Sequence, residues 1–143
     1  MPRLCVDANL VVSRLLPSQH TPPIDEFWLR AFEARTKVIA PPLLFAEVAS
    51  ALRLRIYRGD LDRKEGDVLL DKLLELGIVE SNPPALKRRA WELANLCGHP
   101  RAYDAQYLAL AEIEGCELHT ADVRLYRSAH DKAPWVKLVG ATP

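Results

Sequence analysis

Four carboxylates in this chain sit in apolar settings. Asp7 closes the run Leu4-Cys5-Val6, and Glu47 lies within Leu43-Leu44-Phe45-Ala46-Glu47-Val48. Asp104 opens Tyr103-Asp104-Ala105-Gln106-Tyr107-Leu108-Ala109, and Asp122 follows Thr120-Ala121. Carboxylates held a few Å apart raise one another's pKa and oppose folding, so a fold that gathers them needs a cation to offset their charge. Hard oxygen donors without His or Cys favour Mg²⁺ or Mn²⁺ over zinc. Mg²⁺ keeps several waters and takes one or two carboxylates directly, so some of the four would act through water. Such a cation activates a water and neutralises charge at a phosphate. The chemistry indicated is metal-dependent phosphodiester or phosphoryl chemistry. Each acid also has a purely structural reading. Asp104 suits a helix N-cap, Glu47 suits the positive end of a helix dipole, and Asp7 and Asp122 suit caps at strand ends.

The elements that must position these acids are legible from periodicity. Leu4–Val6, Val38–Ala40, Ile78–Val79, Cys116–Thr120 and Trp135–Val139 read as short buried strands. Between them lie helical patterns. Pro22–Arg35 places Ile24, Phe27, Trp28, Ala31 and Phe32 on one face, and Leu44–Arg58 does the same with Leu44, Phe45, Val48, Ala49, Leu52 and Ile56. Asp62 with Glu65 forms a capping-box pattern that opens a helix ending at Gly77. Pro83-Pro84 starts a helix with Leu86, Ala90, Leu93, Ala94 and Cys97 buried and Gly98 at its end. A further helix runs from Tyr103-Asp104 to Gly115, and a short one covers Val123–Ala129. Short apolar strands alternating with helices predict an α/β fold, a mostly parallel sheet covered on both faces. Ligands of such sheets bind beyond the carboxyl ends of the strands, and right-handed crossovers bring all four acids toward that edge.

The 143 residues, 49% of them apolar and 27% charged, suit one globular domain over 1–143 and exclude a disordered chain. The longest uncharged stretch is Leu15–Ile24, ten residues with three prolines, too short for a membrane span. Asp7 interrupts the N-terminal apolar run too early for a signal peptide. Three cysteines with no Cys-x-x-Cys spacing predict a reduced, cytoplasmic protein without a disulfide framework.

The motifs Val6-Asp7-Ala8-Asn9, Pro42–Val48, Tyr103-Asp104-Ala105 with Leu108–Glu112, and Thr120-Ala121-Asp122 with Arg124-Leu125 occur in an order and separation that resembles the PIN-domain ribonucleases, most closely the VapC-type toxins of prokaryotic toxin–antitoxin pairs. The resemblance covers nearly the whole chain. It implies a three-layer α/β/α sandwich, Mg²⁺ or Mn²⁺ at the carboxyl edge, and RNA cut by a metal-activated water. It implies that Asp7, Glu47, Asp104 and Asp122 are the catalytic and metal-binding acids, that Asn9 supports Asp7, and that Thr120 is the hydroxyl residue two before the last aspartate. It also implies a homodimer and a small antitoxin partner. Where the family sometimes adds another acid after the last aspartate, this chain has Val123 and Arg124.

Nineteen basic residues balance nineteen acidic ones. Setting the four site acids aside leaves nineteen against fifteen, a surplus that suits a phosphate-binding surface. The densest basic stretches are Arg53–Lys64 and Lys87-Arg88-Arg89, each of which also reads as a solvated helix face. His119 precedes Thr120 and so faces the opposite side of its strand. Cys5, Cys97 and Cys116 read as small core residues. Two other functions fit the same fold. One is a non-catalytic module that binds an antitoxin-like or other protein partner. The other is an aspartyl-phosphate domain, which Asn9 disfavours by standing where a second acid would be needed.

Overall fold

The computed structural model describes residues 2–140. Five short segments form strands: β1 (Arg3–Val6), β2 (Lys37–Ala40), β3 (Val79–Glu80), β4 (Leu118–Thr120) and β5 (Val136–Leu138). Their order in the sheet is β3-β2-β1-β4-β5, and all four pairings are parallel. A strand buried on both faces cannot alternate polar and apolar residues, which is why β1 ends in Cys5-Val6 and β2 in Val38-Ile39-Ala40, all buried.

Seven α-helices make the crossovers: α1 (Ala8–Leu15), α2 (Pro22–Glu33), α3 (Leu43–Tyr57), α4 (Arg63–Glu75), α5 (Leu86–Cys97), α6 (Tyr103–Glu114) and α7 (Val123–Ala129). The chain moves outward from β1 to β3, then returns past β1 to β4 and β5. Right-handed crossovers therefore put α1–α4 on one face and α5–α7 on the other, giving the α/β/α layering. Contacts among α1, α2, α3 and α4, and between α5 and α6, follow this division. Helix α6 is the central one of its layer. Ala105 and the run from Tyr107 to Ala111 are all buried, so this helix packs on more than one side.

Local chemistry sets the boundaries. The Asp62–Glu65 capping box is complete, with the Glu65 N–H donating to Asp62 and the Asp62 N–H donating to Glu65. Gly98 and Gly115 close α5 and α6 in the left-handed conformation, at φ 68° and 66°. Three features depart from the sequence expectation. Helix α1 was not expected: its apolar positions Leu10, Val11 and Leu15 fall between a strand and a proline-containing stretch, and its start is marked only by the Asp7 cap. Phe32 and Phe45, placed on buried faces by periodicity, are exposed, because each lies at the margin of its helix's apolar stripe. Cys116 lies just before β4 and not in a strand, and it and Cys97 are half-buried.

Candidate active site

The reversal of strand order at β1 leaves the carboxyl ends of β1 and β4 side by side, with Val6 level with His119. The residues that follow each strand therefore meet in the crevice where open α/β sheets bind ligands. They are Asp7 and Asp122, and each does two things. Asp7 is the N-cap of α1, its Oδ1 accepting from the Leu10 N–H at 2.9 Å. Asp122 is the N-cap of α7, its Oδ1 accepting from the Arg124 and Leu125 N–H groups at 2.9 and 3.2 Å. Asp104, which the sequence offered as a cap, is not one. The N-cap of α6 is Ala102, and Asp104 is the helix's second residue with its side chain exposed.

Thr120 ties the two strand ends together. Its hydroxyl donates to Asp7 Oδ2 and accepts from the Asp122 N–H at 2.9 Å, and the residue is fully buried. Among the described residues Asn9 makes no hydrogen bond to Asp7. Because α1 begins at Ala8, Asn9 is carried onto its exposed side, and the two Asp7 oxygens go to Leu10 and Thr120. His119 turns the other way, as its place on the pleat requires, and its ring packs on Phe27 with centroids 5.1 Å apart.

Glu47 arrives from the second turn of α3 and is held by a residue not foreseen as functional. The hydroxyl of Tyr107 donates to Glu47 Oε1. Tyr107 is buried, one helical turn beyond Asp104 on α6. One helix thus carries an acid of the site and, three residues on, the group that fixes another. The available signal was a tyrosine inside an otherwise apolar buried run, since a buried phenol needs a hydrogen-bond partner.

The four carboxylates share one electrostatic environment. Burial raises the Asp7 carboxyl to about 7, opposed by the hydrogen bonds from Thr120 and Leu10 and reinforced by the charges of Asp104 and Asp122. Partial burial raises Glu47, with the Tyr107 hydrogen bond lowering it and Asp104 adding to the rise. Asp104 is raised by the surrounding protein and by Asp122, while His99 and Arg124 pull it down. Among the described residues none of the four forms an ion pair with Lys, Arg or His. The basic neighbours stand off: His99 Nε2 is 2.8 Å from Ser128 Oγ, and Arg124 is exposed at the start of α7.

The family described as PIN domain matches residues 4–131 of the sequence. The chain belongs to the PIN domain family. This PIN domain is 33% identical over 132 residues to the VapC ribonuclease Mb0985 of Mycobacterium bovis, a match that spans 92% of this chain and 94% of that one. It is 36% identical over 105 residues to the ribonuclease VapC3 of Mycobacterium tuberculosis, spanning 71% and 74% of the two chains. Among solved structures it resembles PAE2754 from Pyrobaculum aerophilum, with a TM-score of 0.65 at 23% identity over 90% of this chain and 86% of that one. FitAB bound to an IR36 DNA fragment is similar at a TM-score of 0.63 and 21% identity, over 97% and 99%.

The donor set fits a hard divalent cation in kind. It is all carboxylate and of one sign, without an ion-pair partner among the described residues, and burial, reinforced by the charges of Asp104 and Asp122, drives Asp7 toward its neutral form. Among the described residues no three His, Cys, Asp or Glu side chains are yet gathered closely enough to hold a metal ion. Two of the four are turned into helix caps and one is held by Tyr107, so the acids converge on one edge without closing into a cage.

Proposed function

We propose that this PIN domain is an Mg²⁺- or Mn²⁺-dependent endoribonuclease, the toxin of a VapBC-type pair, acting in the cytoplasm as a homodimer that a small antitoxin protein restrains. The observation that supports the reading is the convergence of Asp7, Glu47, Asp104 and Asp122, drawn from four separate segments, toward one carboxyl edge, with no ion-pair partner among the described residues. Overall likeness to VapC ribonucleases supports it. No helix among the described residues is long and apolar enough to cross a membrane.

The residues divide the work as follows. Asp7, Glu47, Asp104 and Asp122 would hold the cation, which when bound makes water more acidic and neutralises charge at the phosphate. Thr120 and the Leu10 N–H fix the direction of Asp7. Tyr107 donates to Glu47 Oε1 and leaves Oε2 free of a hydrogen bond among the described residues. Arg124, whose charge lowers the Asp104 carboxyl, would offer positive charge to a phosphate drawn toward the acids. Preorganised donors and charges of this sort cost no reorganisation during the reaction.

The test is cleavage of a labelled total-RNA pool by purified, antitoxin-free protein with Mg²⁺, with Mn²⁺ and with EDTA, alongside Asp7→Asn and Asp104→Asn. Metal-dependent cutting that both substitutions abolish is the expected result. No cutting with either metal, by folded protein, would replace the nuclease with a protein-binding module on the same fold.

A further inference from the structure

At the start of α5, Lys87, Arg88 and Trp91 line a shallow surface concavity with Pro84. Trp91 is 61% exposed, and neither Lys87 nor Arg88 forms an ion pair among the described residues. Arg89, between them and Trp91, is instead consumed by Glu112 at 2.6 Å and Glu92 at 3.7 Å. The two free cations do not serve their helix. They sit in its first turn, where the macrodipole disfavours positive charge, and that turn contains no acid and no side-chain cap. A bare indole beside two unpaired cations matches a strand that presents a base face and a phosphate together.

We infer that Lys87, Arg88 and Trp91 form an accessory docking platform for single-stranded RNA, the indole stacking on a base and the two cations contacting the flanking phosphates. The inference rests on the RNA-cleaving reading above and adds where the substrate lies. The Arg89–Glu112 pair sets the start of α5 beside the end of α6, so the platform is at the opposite end of this helix pair from Asp104. Asp104 and Glu112 are eight residues apart, about 12 Å along a helix. At about 3.4 Å per stacked nucleotide, a strand reaching both places spans roughly four nucleotides or more. Shorter RNAs fit the platform alone, and longer ones reach both places.

The test uses full-length protein in EDTA, so that nothing is cut, and fluorescently labelled oligouridylates of 3, 6, 12 and 24 nucleotides, with binding read by anisotropy. All three side chains are exposed, so Trp91→Ala and the double variant Lys87→Gln/Arg88→Gln keep the fold. Trp91→Ala is expected to weaken the 24-mer about ten-fold, with Trp91→Phe recovering most of the loss. The double variant is expected to reduce the slope of log K against log salt by about 1.4, at ~0.7 per phosphate contact of a single strand. The 3-mer, which fits the platform alone, is expected to bind the unmodified protein weakly and to lose that binding in both variants. No loss with the 24-mer, a 3-mer that binds every variant as it binds the unmodified protein, or no RNA binding by the unmodified protein would each overturn the platform. A change in oligomeric state or in capture of a protein partner, with RNA binding intact, would make the patch a protein interface instead. The nuclease reading fails separately: RNA that docks here and is never cut would sink it and leave the platform standing.

Discussion

Replacing Asp7 by Asn is expected to stabilise the metal-free protein above neutral pH. The carboxyl is buried and raised to about 7 against an ordinary value of 3.8. A raised folded-state pKa means the native state binds a proton that the unfolded state releases. The stability linked to that proton is fully present below pH 3.8 and is lost as pH rises through 7. Between pH 5 and pH 8 the native carboxyl sheds nearly all of its proton while the unfolded one has little left to lose. At 1.36 kcal/mol per pH unit, about two units of this interval cost the unmodified protein roughly 2–3 kcal/mol. Asn at position 7 has no such charge to bury. Its carbonyl oxygen still accepts from the Leu10 N–H, and its NH₂ can donate to Thr120. The measurement is thermal unfolding of both proteins in EDTA at pH 5 and pH 8. The gap in Tm between them should move in favour of Asp7→Asn by roughly 8 °C over that interval. Any constant cost of the amide cancels in this comparison. A gap that stays fixed between pH 5 and pH 8 would refute the account of Asp7 as a carboxylate buried without a counter-charge.

Three further outcomes follow from the same geometry. Tyr107→Phe removes one hydroxyl from a buried site; it should cost about 1 kcal/mol of stability but lower kcat and Mn²⁺ affinity ~10-fold or more, with KM for RNA unchanged, as titration and steady-state kinetics would show. Thr120→Val leaves both an Asp7 oxygen and the Asp122 N–H without their partner, and denaturant unfolding should register a loss of about 1–3 kcal/mol together with loss of cleavage. Asp62→Ala breaks the capping box of α4, away from the acids, and should lower stability by about 1 kcal/mol while leaving cleavage intact.

The layered fold was legible because its signals are local. An apolar run ended by Asp, a proline pair or a glycine fixes where a strand or helix stops, and α7 at Val123–Ala129 and the capping box of α4 appear where the sequence placed them. What was hidden depends on tertiary contact. Periodicity put Phe32 and Phe45 on buried faces, but it cannot tell how wide a stripe the neighbouring helix covers. The first helix went unseen because its start rests on one aspartate that already had another explanation. The same double use blurred the site. The resemblance implied a role for Asn9, but with α1 starting at Ala8 its side chain is exposed, and the Asp7 oxygens bond Leu10 and Thr120 instead. Tyr107 read as core because nothing local announces that its hydroxyl meets Glu47, sixty positions earlier in the chain.

The double duty of the strand-end aspartates bears on descent. In a descendant of this chain that had ceased to cut RNA, positions 7 and 122 would still be selected for a side chain that starts a helix, so Asp, Asn, Ser or Thr would persist there. At position 7, Asn would even be favoured, since it keeps the cap and drops the buried charge. Glu47 and Asp104 cap nothing, and their loss would go unopposed. Retired members of such a lineage would be betrayed by the two helix-borne acids, while the two at the strand ends outlive the activity.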